Sequence, residues 1–181
     1  FDPAMHMINW SQLPRVKGAK ADDAALEMSI FWGSMDWGTT SPGCFQLWGA
    51  DYDGVAYRLH EIYHTKKNID WWAAQIEPFC KMYPLTTIVA DPSRDDLIDK
   101  LNDHLGRYRQ RDADRLVRKA DNPIKAGIEV VDTMLMRGRH GQPMLRFVRD
   151  ALVEADPLLI DAGMPICTEQ ACVIARHEVS Q

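Results

Sequence analysis

The hydrophobic pattern of this chain predicts strands first and helices later. Residues 30–36 are largely apolar, with aromatic and β-branched side chains, and glycine and proline follow. Such a run predicts a strand that ends at Asp36 and leads into a turn. Because side chains alternate between the two faces of a strand, Asp36 is expected to share a face with Trp32 and Ser34. Strand-like runs also cover residues 43–51 and 55–63, and the Asp-Gly pair between them favours a tight hairpin turn. Together, the runs predict an antiparallel meander of three strands.

The spacing of apolar residues becomes helical after the meander. It predicts a helix over residues 69–83, capped by Asn68 and ended by Pro84. A second short strand then ends in another carboxylate, Asp91. Residues 93–96 have the form of a capping box, which predicts that a further helix starts there. The order of elements thus places two strand-ending aspartates in one domain.

The remaining segments complete an α/β domain with a mixed central sheet, a three-strand antiparallel meander extended by parallel strands and flanked by helices. We expect an exposed connection over residues 107–119, a strand over residues 144–148 and a helix over residues 150–159. Another helix is expected to begin at Asn122-Pro123. The residues expected to face inward from it are Ile124, Ile128, Val131 and Leu135. Residues 1–25 are interpreted as a cloning remnant and linker arm, and residues 26–181 as a single domain.

Composition narrows the possible functions. The chain has 181 residues, 46% of them apolar, with a formal net charge of −5. This balance gives no global attraction to nucleic acid, so any such partner requires a local basic patch. The four cysteines lack the spacing of a zinc site or a disulfide framework. With no apolar run long enough to span a bilayer and no signal-peptide pattern, a cytoplasmic protein without a membrane partner is expected.

Asp36 and Asp91 are the candidate chemical groups. If their strands lie side by side, the two carboxylates meet at one edge of the sheet, where they repel each other unless a divalent cation lies between them. Magnesium takes one or two carboxylates and keeps waters and phosphate oxygens as its other ligands. Two such ions about 4 Å apart can promote hydrolysis of a phosphodiester. The alternative is that Asp36 forms a turn and Asp91 caps a helix, independently of each other.

Several motifs, in this order, resemble the C-terminal nuclease domain of tailed-phage terminase large subunits. The resemblance runs from about residue 29 to residue 148, and the order of the motifs is more specific than any one of them. The matching stretches are Met35-Asp36-Trp37-Gly38-Thr39-Thr40-Ser41-Pro42-Gly43, Trp48-Gly49-Ala50-Asp51-Tyr52-Asp53-Gly54, His60-Glu61-Ile62-Tyr63, Val89-Ala90-Asp91-Pro92-Ser93 and Asn122-Pro123-Ile124-Lys125-Ala126-Gly127-Ile128.

The resemblance implies a ribonuclease H-like fold and a metal-dependent endonuclease. Such a domain cuts concatemeric double-stranded viral DNA with low sequence specificity, using two Mg²⁺ or Mn²⁺ ions. Asp36 matches the first metal-binding aspartate of the family and Asp91 the second. Glu61 is either a supporting acid or a surface residue of its strand.

Basic residues offer candidate contacts with DNA. Lys66 and Lys67 follow the third strand and could contact backbone phosphate, or be a solvated pair. Arg107 and Arg109 belong to an exposed basic run that could bind DNA or the portal protein, or simply be solvated.

Two parts of the family pattern are missing. The family has a third acidic motif, Asp-Asp-His followed by Asp-Ala-Leu-Arg-Tyr, which nothing in this sequence matches, so the third acidic ligand is unassigned. A P-loop is also missing, which implies a nuclease domain separated from its ATPase domain. By resemblance, the ATPase domain, the small terminase subunit and the portal protein are its partners, at the procapsid in the host cytoplasm.

Two other functions compete with the nuclease. Asp36, Gly38, Thr39 and Thr40 also resemble the phosphate loop of actin, sugar-kinase and chaperone ATPases, although these proteins need a second such loop that this chain lacks. Protection of the fold by nucleotide would favour the ATPase. A catalytically incomplete domain that docks on DNA or on the portal is the other possibility, and binding without metal-dependent cleavage would favour it.

Overall fold

A computed structural model describes residues 1–16, 26–38, 41–121, 123–136, 138 and 141–172. The first half of the chain contributes a short helix, four strands and a long helix. In chain order these are α1 (Pro3–His6), β1 (Met7–Ile8), β2 (Ile30–Asp36), β3 (Gly43–Ala50), β4 (Ala56–His64) and α2 (Ile69–Met82). The second half contributes β5 (Leu85–Ala90), α3 (Asp95–Leu105), β6 (Val117–Lys119), α4 (Ile124–Leu135), β7 (Leu145–Val148), β8 (Leu152–Ala155) and α5 (Pro157–Asp161).

The strands form one mixed sheet in the order β1-β7-β4-β3-β2-β5-β6, with β8 also pairing with β4. β2, β3 and β4 are the antiparallel meander, and all other pairs are parallel. The turn between β3 and β4 is tight because Gly54 adopts a positive φ of 80° and Asp51 accepts hydrogen bonds from the backbone of Asp53 and Val55. This is the mixed α/β sheet, with a three-strand antiparallel meander extended by parallel strands, that the hydrophobic pattern predicted.

One face of the sheet carries the hydrophobic core. Along β2, Phe31, Gly33 and Met35 are buried, while Trp32 and Ser34 between them are only partly covered. Phe45 of β3 stacks on Phe79 of α2, with 6.0 Å between ring centroids. The buried residues that α2 and α3 contribute to this core are Trp72, Ala73, Ile76, Phe79, Ile98, Leu101 and Leu105. Asp36 therefore extends from the opposite face of the sheet. In the part of the chain that the structure describes, no helix is long and apolar enough to cross a membrane.

The predicted helix over residues 150–159 is wrong. The structure has strand β8 there, followed by the short helix α5. Asp150 takes a positive φ of 57°, which turns the chain between β7 and β8. Asp156 caps α5 by accepting a hydrogen bond from Leu158 N, and Pro157 occupies the first helical position. The Asp-Pro pair marks where the helix starts, and the apolar residues before it belong to a strand.

Helix α4 is present, but its predicted orientation is wrong. Ile128 and Val131 are 57% and 45% exposed, although both were expected to face inward. The observed contacts of α4 are near its C-terminal end, where Met134 O accepts from Met144 N. Helical spacing reveals an apolar face but not whether a neighbouring element covers it. The predicted cap Asn122 and the side chain of Ile124 lie outside the described residues.

Residues 3–8, within the segment interpreted as a remnant and linker arm, form α1 and β1. Met7 and Ile8 pair with Phe147 and Val148 at one edge of the sheet. His6 is 4% exposed, and its ring nitrogens lie 2.7 Å from Asp2 O and 2.8 Å from Leu135 O. Two residues of strand pairing carry little sequence signal, which is why the pattern did not predict them.

Candidate functional site

The carboxylates of Asp36 and Asp91 lie at the C-terminal ends of two neighbouring strands of the sheet. β2 and β5 are parallel neighbours, with Met35 opposite Ala90, and Asp91 N donates a 2.9 Å hydrogen bond to Met35 O. Both aspartates line an open cleft of about 870 Å³. The strand order that the sequence suggested is therefore present. The chemical roles of the two residues stay predictions.

Trp37 and Gly38, the two residues directly after β2, pack against β5 and β3. The indole Nε1 of Trp37 donates to Asp91 O over 2.9 Å. A Cβ on Gly38 would come within 2.0 Å of Gly43 N, so only glycine fits where this loop passes β3. These contacts restrict where Asp36 can move. Thr39 and Thr40, the other members of the competing phosphate loop, lie outside the described residues.

Asp91 forms a turn as well as lining the cleft. Its carboxylate accepts hydrogen bonds from Ser93 N (3.0 Å) and Ser93 Oγ (2.6 Å). The predicted capping box is wrong because Ser93 bonds to Asp91, while α3 begins at Asp95 after Arg94, which makes no side-chain cap. A carboxylate has about four lone-pair positions, so the Asp91 carboxylate can still bind a cation. The two hydrogen bonds also orient this carboxylate toward the cleft.

The electrostatics of the cleft favour a cation. Partial burial raises the pKa of Asp36, the negative charge of Asp91 raises it further, and the Trp37 N–H lowers it. No lysine or arginine is among the described residues that line the cleft. The two carboxylates therefore repel each other, with no positive side chain among the described lining residues to offset the repulsion. A divalent cation with oxygen ligands fits this donor set.

Glu61 is not the surface residue that one prediction described. It is 0% exposed and lies on the central strand β4, on the polar face of the sheet. Its carboxylate accepts hydrogen bonds from Gln46 Nε2 (3.1 Å), Cys44 Sγ (3.4 Å) and the hydroxyl of Thr168. Thr168 belongs to the C-terminal segment, residues 166–172, which covers this face and forms one wall of the cleft. Glu61 thus fixes that wall.

A buried arginine balances the charge of Glu61. Arg58, 1% exposed, donates to Glu61 Oε2 (3.1 Å) and forms an ion pair with both oxygens of Glu169. Burial raises the pKa of Glu169, but the bonds and charge of Arg58 lower it more. Ligand atoms of Glu61, Cys167 and Glu169 lie within 4.8 Å of one another. Because Arg58 already forms ion pairs with both carboxylates, a second cation would have to compete with it for their oxygens.

Sequence reasoning missed Arg58 and Glu169. The two residues are 111 positions apart, and Glu169 lies in a tail without regular patterning. The one local signal was Arg58 itself, a charged residue within a largely apolar strand. Such a residue is seldom buried without a partner of opposite charge. The partner itself could not be predicted from local pattern.

The structure separates the four basic residues predicted to bind DNA. Lys66 and Lys67 follow β4 at the same end of the sheet as Asp36, since His64 lies opposite Gly43. Arg107 and Arg109 lie beyond the far end of α3, an 11-residue helix that extends roughly 16 Å from the cleft end. Arg107 also pairs with Glu77. Of the four, Lys66 and Lys67 lie at the end of the sheet that carries the cleft, and their contact with DNA stays a prediction.

No family model matches the chain, and no curated protein matches it in sequence. Solved structures do match it. The large terminase of a thermophilic bacteriophage, in complex with ADP, aligns with a TM-score of 0.60 and 23% identity, over 82% of this chain and 32% of that one. The nuclease domain of the bacteriophage P22 large terminase aligns with a TM-score of 0.50 and 12% identity, over 82% and 70% of the two chains. The Mn-bound SPP1 large terminase nuclease domain has a TM-score of 0.49 and 17% identity, over 84% and 72%.

The matched region covers about a third of the first of these terminases and most of the P22 nuclease domain. At such identities the likeness establishes the fold. The chain therefore has the ribonuclease H-like fold of terminase nuclease domains.

Proposed function

We propose that this chain is a metal-dependent endonuclease domain of a phage DNA-packaging terminase. The observation that carries the proposal is the pair Asp36 and Asp91, which face each other in an open cleft with no cationic side chain among its described lining residues. Mg²⁺ or Mn²⁺ suits these ligands. Asp36 and Asp91 would hold the ions. When bound, the ions supply Lewis-acid stabilisation of the phosphodiester and a more acidic attacking water.

The chain's own contacts prepare this site. Ser93 orients the carboxylate of Asp91, and Trp37 ties the loop after Asp36 to the end of β5. Glu61 and Arg58 hold the C-terminal segment as a wall of the cleft. Pre-organised ligands lose little entropy when they bind an ion, which favours a defined geometry for cleavage. The third acidic ligand is unassigned.

The proposed substrate is concatemeric double-stranded phage DNA. No helix of the described chain resembles a major-groove reading helix, so we expect low sequence specificity. The matched terminase is about three times as long as the aligned region. By analogy we propose that the domain works beside a terminase ATPase domain, with the small terminase subunit and the portal protein, at the procapsid in the host cytoplasm.

The test is cleavage of a supercoiled plasmid by the 181-residue chain with Mn²⁺, Mg²⁺ or chelator. We expect metal-dependent nicking and linearisation, and a loss of more than about 100-fold in the Asp36→Asn variant, because losing one metal ligand removes several kcal/mol of transition-state stabilisation. Asp103→Asn is the matched control, since Asp103 is exposed on α3 and makes no hydrogen bond or ion pair in the described structure.

The outcomes separate the candidate functions. Equal cleavage by Asp36→Asn and the unaltered chain would exclude Asp36 as a metal ligand. DNA binding without cleavage at any metal concentration would support a docking domain. Asp36→Asn must keep the circular dichroism spectrum and thermal unfolding of the unaltered chain, because otherwise the residue is structural.

A further inference from the structure

We propose that a basic pocket next to the cleft binds a backbone phosphate of the same DNA. The inference rests on the proposed nuclease function and adds a binding subsite to it. The basic pocket, of about 280 Å³, is lined by Trp37, Gly38, Lys67, Asn68, Arg94 and Lys100, among others. Three separate elements supply its cations: the turn before α2, the residue before α3, and α3 itself.

The basic pocket and the cleft share a wall. Asp36 lines the cleft, and the next two residues, Trp37 and Gly38, line the basic pocket. Since Trp37 is hydrogen-bonded to the backbone of Asp91, this wall has a fixed position relative to both carboxylates. A nucleic acid strand that places one phosphate at Asp36 and Asp91 therefore passes beside the basic pocket.

The lysines of the basic pocket form no close ion pair within the described chain, although the charge of Lys67 acts on Asp156 and that of Lys100 on Asp96. Lys67 lies over the ring of Trp71, 4.9 Å from its centroid, and forms no ion pair there, and neither does Lys100. Arg94 is bonded to Asp96 through Nε and Nη2, both at 2.8 Å, which leaves its Nη1 group for another acceptor. By contrast, several other surface cations are paired with carboxylates, namely Lys81, Arg107, Arg115 and Lys119.

Two helix N-termini lie at the basic pocket, and the acidic residues of their first turns, Asp70 on α2 and Asp95 and Asp96 on α3, offset part of their positive charge. α2, with 14 residues, begins after Asn68, and α3, with 11, begins after Arg94, so both start at the basic pocket. The unpaired N–H groups and the macrodipole of a helix favour an anion at its N-terminus. Lysine contacts and helix N-termini bind phosphate without reading base sequence, which agrees with an enzyme of low specificity.

The experiment measures duplex binding rather than cleavage. A short fluorescent DNA duplex is titrated with the unaltered chain, Lys67→Gln, Lys100→Gln and the double variant, in chelator, over a range of salt concentrations. Each lost phosphate contact should lower the magnitude of the slope of log K against log salt by about 0.9, and weaken binding equally for unrelated sequences. Lys81→Gln, near the other end of α2 and paired with Glu77, is the matched control and should leave the slope unchanged.

Each result distinguishes this inference from the function on which it rests. Unchanged slopes in Lys67→Gln and Lys100→Gln, with active cleavage by the unaltered chain, would overturn the basic pocket alone. Reduced slopes without any metal-dependent cleavage would support the basic pocket and reject the nuclease. A chain that neither binds nor cuts DNA would overturn both. Thermal unfolding confirms that each variant is folded.

Discussion

Two pairs of carboxylates on the same face of the sheet behave differently. Glu61 and Glu169 are covered by protein and share the guanidinium of Arg58. Asp36 and Asp91 lie at the C-terminal ends of two neighbouring interior strands, in an open cleft with no cationic side chain among its described lining residues. Burial forces the first pair to carry its own counter-charge, because an unpaired buried carboxylate is costly. The open pair can be left uncompensated, because solvent screens much of its repulsion.

This difference in charge balance indicates which pair of carboxylates is available to bind a ligand. A carboxylate whose charge is balanced within the chain stabilises structure, and an added ion would have to displace its partner. Carboxylates held together without a partner are stabilised by an ion from solution. The group of Glu61, Cys167 and Glu169, whose ligand atoms lie within 4.8 Å of one another, is by this argument a structural cluster. The open pair, Asp36 and Asp91, is the candidate functional site.

Replacing Arg58, the buried counter-charge, should have the largest effect on the free energy of unfolding. Arg58→Met leaves two carboxylates under the C-terminal segment without a cation, and we expect it to lower the free energy of unfolding by about 3–5 kcal/mol. Urea unfolding measures the change. Arg109→Met, at an exposed position, is the control and should change it by less than about 0.5 kcal/mol. A loss below about 1 kcal/mol in Arg58→Met would mean that Arg58 and the glutamates are not a buried charged cluster in solution.

Adding a divalent cation should stabilise the open pair. With Mn²⁺ at 100 times its dissociation constant, we expect the unaltered chain to gain about 2.7 kcal/mol in the free energy of unfolding. Asp36→Asn and Asp91→Asn should lose most of this gain, whereas Glu169→Gln should keep it. Thermal unfolding in Mn²⁺ and in chelator measures the response. A gain that disappears in Glu169→Gln but persists in Asp36→Asn would make the buried cluster the metal site.

Neutralising one carboxylate of each pair should change the free energy of unfolding least, and by different amounts in the two pairs. In chelator at pH 7, we expect Glu169→Gln to lose about 1–3 kcal/mol, because Arg58 loses a charged acceptor. Asp36→Asn should change the free energy of unfolding by less than about 1 kcal/mol, since it only relieves screened repulsion. Urea unfolding in chelator compares the two variants under identical conditions.

The stabilisation that Glu169 contributes should depend on pH in a defined direction. The folded pKa of Glu169 lies below its ordinary value of 4.5, so its charge stabilises the fold above pH 4.5. That stabilisation is lost as the pH falls through the folded pKa, because the unfolded chain binds the proton first. The gap between the unaltered chain and Glu169→Gln should therefore narrow below pH 4.5. If the difference in unfolding free energy between the two chains grew on acidification, that result would contradict the ion pair with Arg58.

Much of the fold could be predicted from local pattern. Alternation in β2 and the Asp-Gly turn identify the meander, and helical spacing after Asn68 identifies α2. The failures share one physical cause. The short pairings of β1 and β8 and the exposure of Ile128 on α4 depend on which elements become neighbours, and local periodicity does not record that.

By itself, the sequence determined that two short strands end in aspartates and that a meander and two helices surround them. It thereby placed Asp36 and Asp91 at strand tips, because alternation and turn chemistry are local properties. Only the tertiary structure decided that Glu61 is buried rather than exposed, and that Arg58 pairs with Glu169 across 111 positions. Burial and charge balance depend on every element that covers a residue, so they emerge only when the sheet, the helices and the C-terminal segment pack together.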